Sequence, residues 1–155
     1  MYKFPSSPFI PFALLSQAVA YENLKNSAAS VNNYKEILER FPQHEVAKSA
    51  LLGLQDKNSN GEFDDFANYL ETYKASNPNS EALENIEFET ARSLYYNQKY
   101  KLAIEDFIDF VKVYKQSALL VNAHSFIADA YYRLEENDNA LQYFLKIENE
   151  KDFSK

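Results

Sequence analysis

A small-and-aromatic pattern returns about every 37 residues along this chain of 155, and that period constrains the fold more than any single residue does. The clearest copy reads Ala91, Leu94, Tyr95, Tyr100, Ala103, Phe107, Phe110, and the next reads Ala128, Tyr131, Tyr132, Ala140, Phe144, Ile147, an offset of 140 − 103 = 37. The same register 37 residues earlier holds Phe66, Leu70 and Tyr73, and 36 earlier again Ser30, Tyr34 and Ile37. Periods of this length belong to stacked helix pairs, each burying surface on its neighbours, and not to a closed catalytic fold.

Composition supports a helical reading. The length is that of one domain, and 46% apolar residues supply a core. Twelve Phe and twelve Tyr with no Trp make that core aromatic, while two glycines and five prolines leave almost nothing for hairpins. A net charge of −7 argues against a nucleic-acid partner, because the nearest approach to a basic stripe is the scattered Lys99, Lys101, Lys112 and Lys115. With no cysteine there is no disulfide, thiolate metal site or thiol chemistry, and no cofactor motif stands in its place. No apolar run is long enough to span a bilayer.

The spacing predicts an all-α chain of eight helices, at about 9–25, 28–41, 44–57, 62–76, 80–97, 100–115, 118–135 and 138–149, with a fraying polar tail from Asn149. Turn signals separate them, among them Pro42-Gln43, Asn58-Ser59-Asn60-Gly61 and Asn77-Pro78-Asn79-Ser80, where Ser80 reads as an N-cap. Ile104, Phe107, Ile108, Val111 and Tyr114 form a stripe wide enough to be covered from two sides. Ala103, Ala140, Phe107 and Phe144 are expected in the core.

These positions resemble the tetratricopeptide repeat. Its small helix-A position reads Ala18, Leu54, Ala91, Ala128 here, the position three later Tyr21, Lys57, Leu94, Tyr131, and its closing proline is found as Pro42 and Pro78 but not at Lys115 or Asp152. The likeness covers nearly the whole chain and is weakest at residues 45–62. It implies a right-handed α-solenoid of antiparallel helix pairs, with repeats at about 9–43, 44–79, 80–116 and 117–152 in a single domain 1–155 that is a segment of a longer repeat protein. Lys3, the apolar stretch Phe9 to Leu15 and Ala18-Val19-Ala20 imitate a secretory leader, but Pro5, Pro8 and Pro11 break its helix and Ala18 and Tyr21 hold the repeat register.

The resemblance further implies a non-catalytic scaffold that binds a protein or peptide on its concave face. Carried over by register, that groove is Leu15, Val19 and Glu22, then Lys48, Leu51 and Gln55, then Asn85, Phe88, Arg92 and Tyr95, then Asn122, Ser125, Asp129 and Tyr132. Leu15 and Val19 replace the Lys and Asn that a clamp for a chaperone's C-terminal carboxylate needs. Residues 34–42 and 121–133 are similar to bacterial cell-envelope repeat proteins of the Tol–Pal-associated and outer-membrane-assembly type, which implies a periplasmic or envelope location over a cytoplasmic one.

One motif competes with the repeat. Asp56, Asn58, Asn60 and Asp64 space oxygen-bearing side chains as the front of a calcium loop does, with Gly61 at the sixth place, but Ala67 stands where a bidentate Glu belongs. A polar turn is the plainer reading, with a calcium-modulated repeat or an accessory domain of a larger enzyme as alternatives. His44 is expected in a solvated turn and His124 as a hydrogen-bonded core histidine, neither with a carboxylate at ligand spacing. Asp106 and Asp109 beside Lys112 read as a solvated face, not an acid/base pair.

Overall fold

The computed structural model describes residues 6–153, with side chains to residue 150, so Lys3, Pro5 and the side chain of Asp152 lie outside the described residues. The described chain is all helical: α1 (Ile10–Asn23), α2 (Ser27–Arg40), α3 (Ala47–Ser59), α4 (Phe66–Ser76), α5 (Leu83–Tyr96), α6 (Tyr100–Val113), α7 (Leu120–Arg133) and α8 (Asn137–Phe153). The helices fall into two compact units that divide between Ala82 and Leu83, beside the expected boundary between the second and third repeats. In the first unit α1 packs on α2, α2 on α3 and α3 on α4; in the second α5, α6, α7 and α8 pack in sequence in the same way. No described helix is long and apolar enough to cross a membrane.

What makes these pairs repeats is a shared backbone turn. Lys25, Gly61, Gln98 and Glu135 all adopt positive φ, at 56°, 75°, 61° and 63°. They are spaced 36, 37 and 37 residues apart, and each sits between a first helix and its partner. The residue after each donates its amide back to the first helix, Asn26 to Tyr21, Glu62 to Lys57, Lys99 to Leu94 and Glu136 to Tyr131, at 2.8–2.9 Å. The left-handed residues donate to Glu22, Asn58, Tyr95 and Tyr132, completing a Schellman closure that satisfies carbonyls the helix would otherwise leave unpaired. Only one of the four is glycine, so the sequence advertises one turn and hides three.

A second device repeats at the start of each first helix. Ser7, His44, Ser80 and Ser117 use a side-chain atom to accept the amide two residues on, from Phe9, Val46, Ala82 and Leu119. This turn delays the helices: α3, α5 and α7 begin two or three residues later than the expected starts at 44, 80 and 118, and Ser80 lies ahead of α5 and not at its N-cap. Helix α4 begins at Phe66 instead of 62, with Asn68 donating to Asp65 Oδ1 at 2.5 Å in its first turn. Helix α8 runs past the fraying expected at Asn149, to Phe153, and Glu150 near its end approaches His124 of α7.

Packing obeys the register. Ala18, Leu54, Ala91 and Ala128 are fully buried, and Ala103 and Ala140 are buried at the corresponding place in the second helices. Gly53 lets the buried Tyr34 ring approach α3, since a Cβ there would lie 2.5 Å from Tyr34 Cζ. Phe107 is fully buried between Phe88 and Phe126, edge-on to the first and stacked on the second. Phe144 corrects the expectation: it is 45% exposed, because no described helix covers α8 on that side.

The left-handed turns predict opposite effects of glycine at equivalent sites. Gln98→Gly should raise stability by about 0.5 kcal/mol or more by removing a Cβ from an αL residue, whereas Gly61→Ala should lower it by about 1 kcal/mol. The space around Gly61 is open, so the second loss is backbone strain alone. Urea unfolding of both variants checks this, and destabilisation by Gln98→Gly would remove the turn from the account.

Candidate functional site

The groove residues expected on α7 share one face. Asn122, Ser125, Asp129 and Tyr132 are spaced three, four and three apart; Asn122, Ser125 and Tyr132 are exposed, and Asp129 is half-buried. On α5, Asn85 and Arg92 are exposed, and Arg92 pairs with Glu89 at 2.5 Å. Phe88 does not join them. It is buried, with its ring edge-on to Phe107, Phe110 and Phe126, and belongs to the core.

Tyr95 couples the two helices. Its hydroxyl donates to Asp129 Oδ2, and Arg133 Nε donates to both, at 3.0 Å to the hydroxyl and 2.5 Å to the carboxylate. The Arg133 guanidinium also lies over the Tyr95 and Tyr100 rings. Burial works to raise the pKa of the Asp129 carboxyl, but the bonds from Tyr95 and Arg133 and the Arg133 charge outweigh it and hold the group below its ordinary value. Tyr95 itself is pushed up by burial and by the bond to Asp129. Tyr95 is the floor of this surface, while Tyr132 is 63% exposed and Tyr96, 67% exposed, rests edge-on against Tyr95 and Phe126. Register alone did not select Arg133, Tyr96 or Phe126; Arg133 four residues after Asp129 was the available signal.

In the first unit Val19 and Lys48 are exposed, and Leu15, Glu22 and Gln55 are half-buried. Leu51 is fully buried in α3 and is a core residue, not a groove residue. Glu22 accepts from Tyr34 at 2.9 Å and lies 3.9 Å from Lys57 Nζ, which is 3.4 Å from Glu62. Ser27 donates to the same Glu62 carboxylate. Lys57, the departure from the aromatic pattern, thus joins the end of α3 to α1 and to the turn before α4.

The calcium-like segment takes the shared turn. Asp56 and Asn58 lie in the last turn of α3, Asn60 Nδ2 faces Asp56 Oδ2 at 3.4 Å, and Gly61 occupies the left-handed place that Lys25, Gln98 and Glu135 hold in the other pairs. His44 is half-buried with its ring edge-on to Phe12, not solvated. His124 is buried beside Tyr143 with Nδ1 2.8 Å from Glu150 Oε1, outside hydrogen-bond geometry, so the carboxylate that sequence spacing missed comes from α8. Asp109 and Lys112 form an exposed pair at 3.8 Å.

Residues 12–44 match the family model of the tetratricopeptide repeat. That match spans the first helix pair, and the shared turns relate the other three pairs to it. Proteins of that family are typically non-catalytic scaffolds for protein–protein interaction. No curated protein matches the chain.

Two measurements probe these sites. Burial first, and then a bonded carboxylate, raises the phenol pKa of Tyr34, Tyr69 and Tyr114 above the ordinary value. In the unfolded chain each titrates near about pH 10, so the stabilisation is intact below that pH and is lost as pH rises above it. Tyr34→Phe should make the alkaline fall in stability shallower; an unchanged slope would mean that Tyr34 ionises freely in the fold. Calorimetry with calcium should show no binding tighter than the roughly millimolar range of weak modules, because the twelfth-position carboxylate is missing. Micromolar affinity lost in Asp56→Ala would make the segment a metal site.

Proposed function

We propose that this chain is a non-catalytic scaffold that binds a protein or peptide, with the exposed face of α7 as its principal contact. Asn122, Ser125 and Tyr132 carry the reading, because they are exposed on one stripe and α7 is tied to α5 beneath them by Tyr95 and Asp129. Arg92 and Asn85 extend that surface on α5, and Leu15, Val19, Glu22, Lys48 and Gln55 are the corresponding set in the first unit. Exposed tyrosine and arginine are common anchors at interfaces, since each offers a large contact area and a polar end. The net charge of −7 favours protein over nucleic acid as the partner. The likeness of residues 34–42 and 121–133 to envelope repeat proteins supports a role in bacterial envelope assembly or maintenance.

Immobilised chain should capture the same proteins reproducibly from an envelope fraction and not from a cytoplasmic one. The double change Tyr132→Ala with Arg92→Ala should weaken capture by about tenfold or more, since either anchor can contribute about 2 kcal/mol when buried by a partner. Thermal stability should hardly change, because Tyr132 is exposed and Arg92 contributes only a surface pair. Capture unaffected by the double change would move the partner away from α5 and α7; capture only from cytoplasm would remove the envelope role.

A further inference from the structure

Of the four left-handed turns, only that between α3 and α4 places glycine after asparagine. Asn60 precedes Gly61, and no other asparagine in the chain precedes a glycine. The α5–α6 turn supplies an internal comparison, because Asn97 stands in the same place before Gln98. Asparagine beside glycine carries its own reaction. The amide nitrogen of the following residue attacks the side-chain amide carbon, an approach that a Cβ on that residue obstructs. Both Asn60 and Gly61 are exposed, and the space around Gly61 is open to 4 Å, so solvent reaches the reacting atoms.

The turn itself decides how readily those atoms meet. The closing bond from Gly61 to Asn58 is 3.2 Å long, against 2.9, 2.9 and 3.0 Å for the bonds from Lys25, Gln98 and Glu135 to their acceptors. Asn60 Nδ2 is held loosely, with Asp56 Oδ2 at 3.4 Å. Asn60 has a ψ of 0°, which keeps the Gly61 nitrogen turned away from Asn60 Cγ. Ring closure therefore needs a rotation about the Asn60 Cα–C bond, and that rotation breaks both closing bonds, Gly61 to Asn58 and Glu62 to Lys57. What resists it is the hold on Glu62, whose carboxylate lies 3.4 Å from Lys57 Nζ and accepts from the Ser27 hydroxyl.

We infer that Asn60 is a self-modifying site: it deamidates through Gly61 when the turn opens, and the isoaspartate that forms keeps the turn from closing again. The Gly61 nitrogen gives its proton to solvent base and bonds to Asn60 Cγ. The Cγ–Nδ2 bond breaks, ammonia leaves with a proton taken from water, and a cyclic imide remains. Water then cleaves one of the two imide C–N bonds. Cleavage at Cγ leaves aspartate, whose new carboxylate faces that of Asp56. Cleavage at the main-chain carbonyl leaves isoaspartate, with the side-chain methylene inserted into the backbone. The insertion adds a bond of about 1.5 Å inside the Schellman closure, so the amides of Gly61 and Glu62 no longer reach Asn58 and Lys57 together. Helix α4 then loses the turn that fixes its angle to α3.

Peptide mapping by mass spectrometry tests this on the full chain incubated at neutral pH. Aspartate and isoaspartate should accumulate in place of Asn60 while Asn97 stays unmodified. Urea should speed conversion of Asn60, because unfolding removes both closing bonds. Glu62→Gln, an exposed change that ends the pair with Lys57, should speed it several times in the folded chain and leave the rate in urea unchanged. Folded protein that keeps Asn60 intact through a period that converts the chain in urea overturns the proposal. Asn97 converting alongside Asn60, or folded Glu62→Gln converting at the unaltered rate, overturns it equally. The isoaspartyl chain, separated by chromatography, should lose amide-exchange protection in α4 and retain it in α5 to α8. Protection of α4 left as it was would overturn the inference that the modified turn cannot close.

Discussion

Everything in this chain depends on reversing direction at the end of each first helix, within three residues in three pairs and six between α3 and α4, while leaving no helical carbonyl stranded. The left-handed residue does this, and three of its four occurrences carry a side chain that disfavours the conformation, Lys25, Gln98 and Glu135. A non-glycine residue there costs about 1–2 kcal/mol, and the return is two closing bonds per turn and an antiparallel partner at a fixed angle. Once the turn is set, the small residues at Ala18, Ala91 and Ala128 decide how closely the two helices lie.

Between helices the structure relies on tyrosine and acid. Tyr34 donates to Glu22, Tyr69 to Glu39, Tyr95 to Asp129 and Tyr114 to Glu87, in each case joining different helices or a helix to the turn beyond it. Ser117 to Glu84 and Ser27 to Glu62 extend the scheme. A hydrogen bond to a charged acceptor contributes about 1.5–3 kcal/mol against about 1 for a neutral pair, provided the ring beside it is buried enough to keep water away. Tyr supplies both the ring and the donor that these contacts use, and the chain has twelve of them. Part of the acidic excess is therefore structural, holding helices together.

The fold was legible because its signal is periodic and redundant. Apolar spacing marked all eight helices, and small residues at Ala103 and Ala140 marked the crossings. The turns were not, because Lys25, Gln98 and Glu135 look like ordinary exposed residues and only Gly61 betrays the conformation. The surface was half legible. Asn122, Ser125 and Tyr132 came out exposed, but Leu51 and Phe88 did not, since a register position names a face of an ideal helix and cannot say how far a neighbouring helix covers it. Phe88 is claimed by three phenylalanines from α6 and α7, residues up to 38 positions away in sequence. Lys57 was read as a lapse in the pattern, and only the approach of Glu22 and Glu62 explains it.

The same register assigns different fates to equivalent side chains, and that difference separates apolar packing surface from the surface proposed for a partner. Phe107 and Phe144 are one position in one pattern, yet the first is sealed by Phe126 and the second is open. Such exposure reflects the lack of a described helix on that side of α8 and not the chemistry of the position. Tyr132 is different: its counterpart Tyr95 packs against Phe126 and Tyr100 and donates to Asp129, while Tyr132 itself remains 63% exposed. A stacking face asks only for apolar shape, whereas the α7 stripe combines an amide, a hydroxyl, a carboxylate and a phenol on one face, the mixed chemistry by which a partner can be told from its competitors.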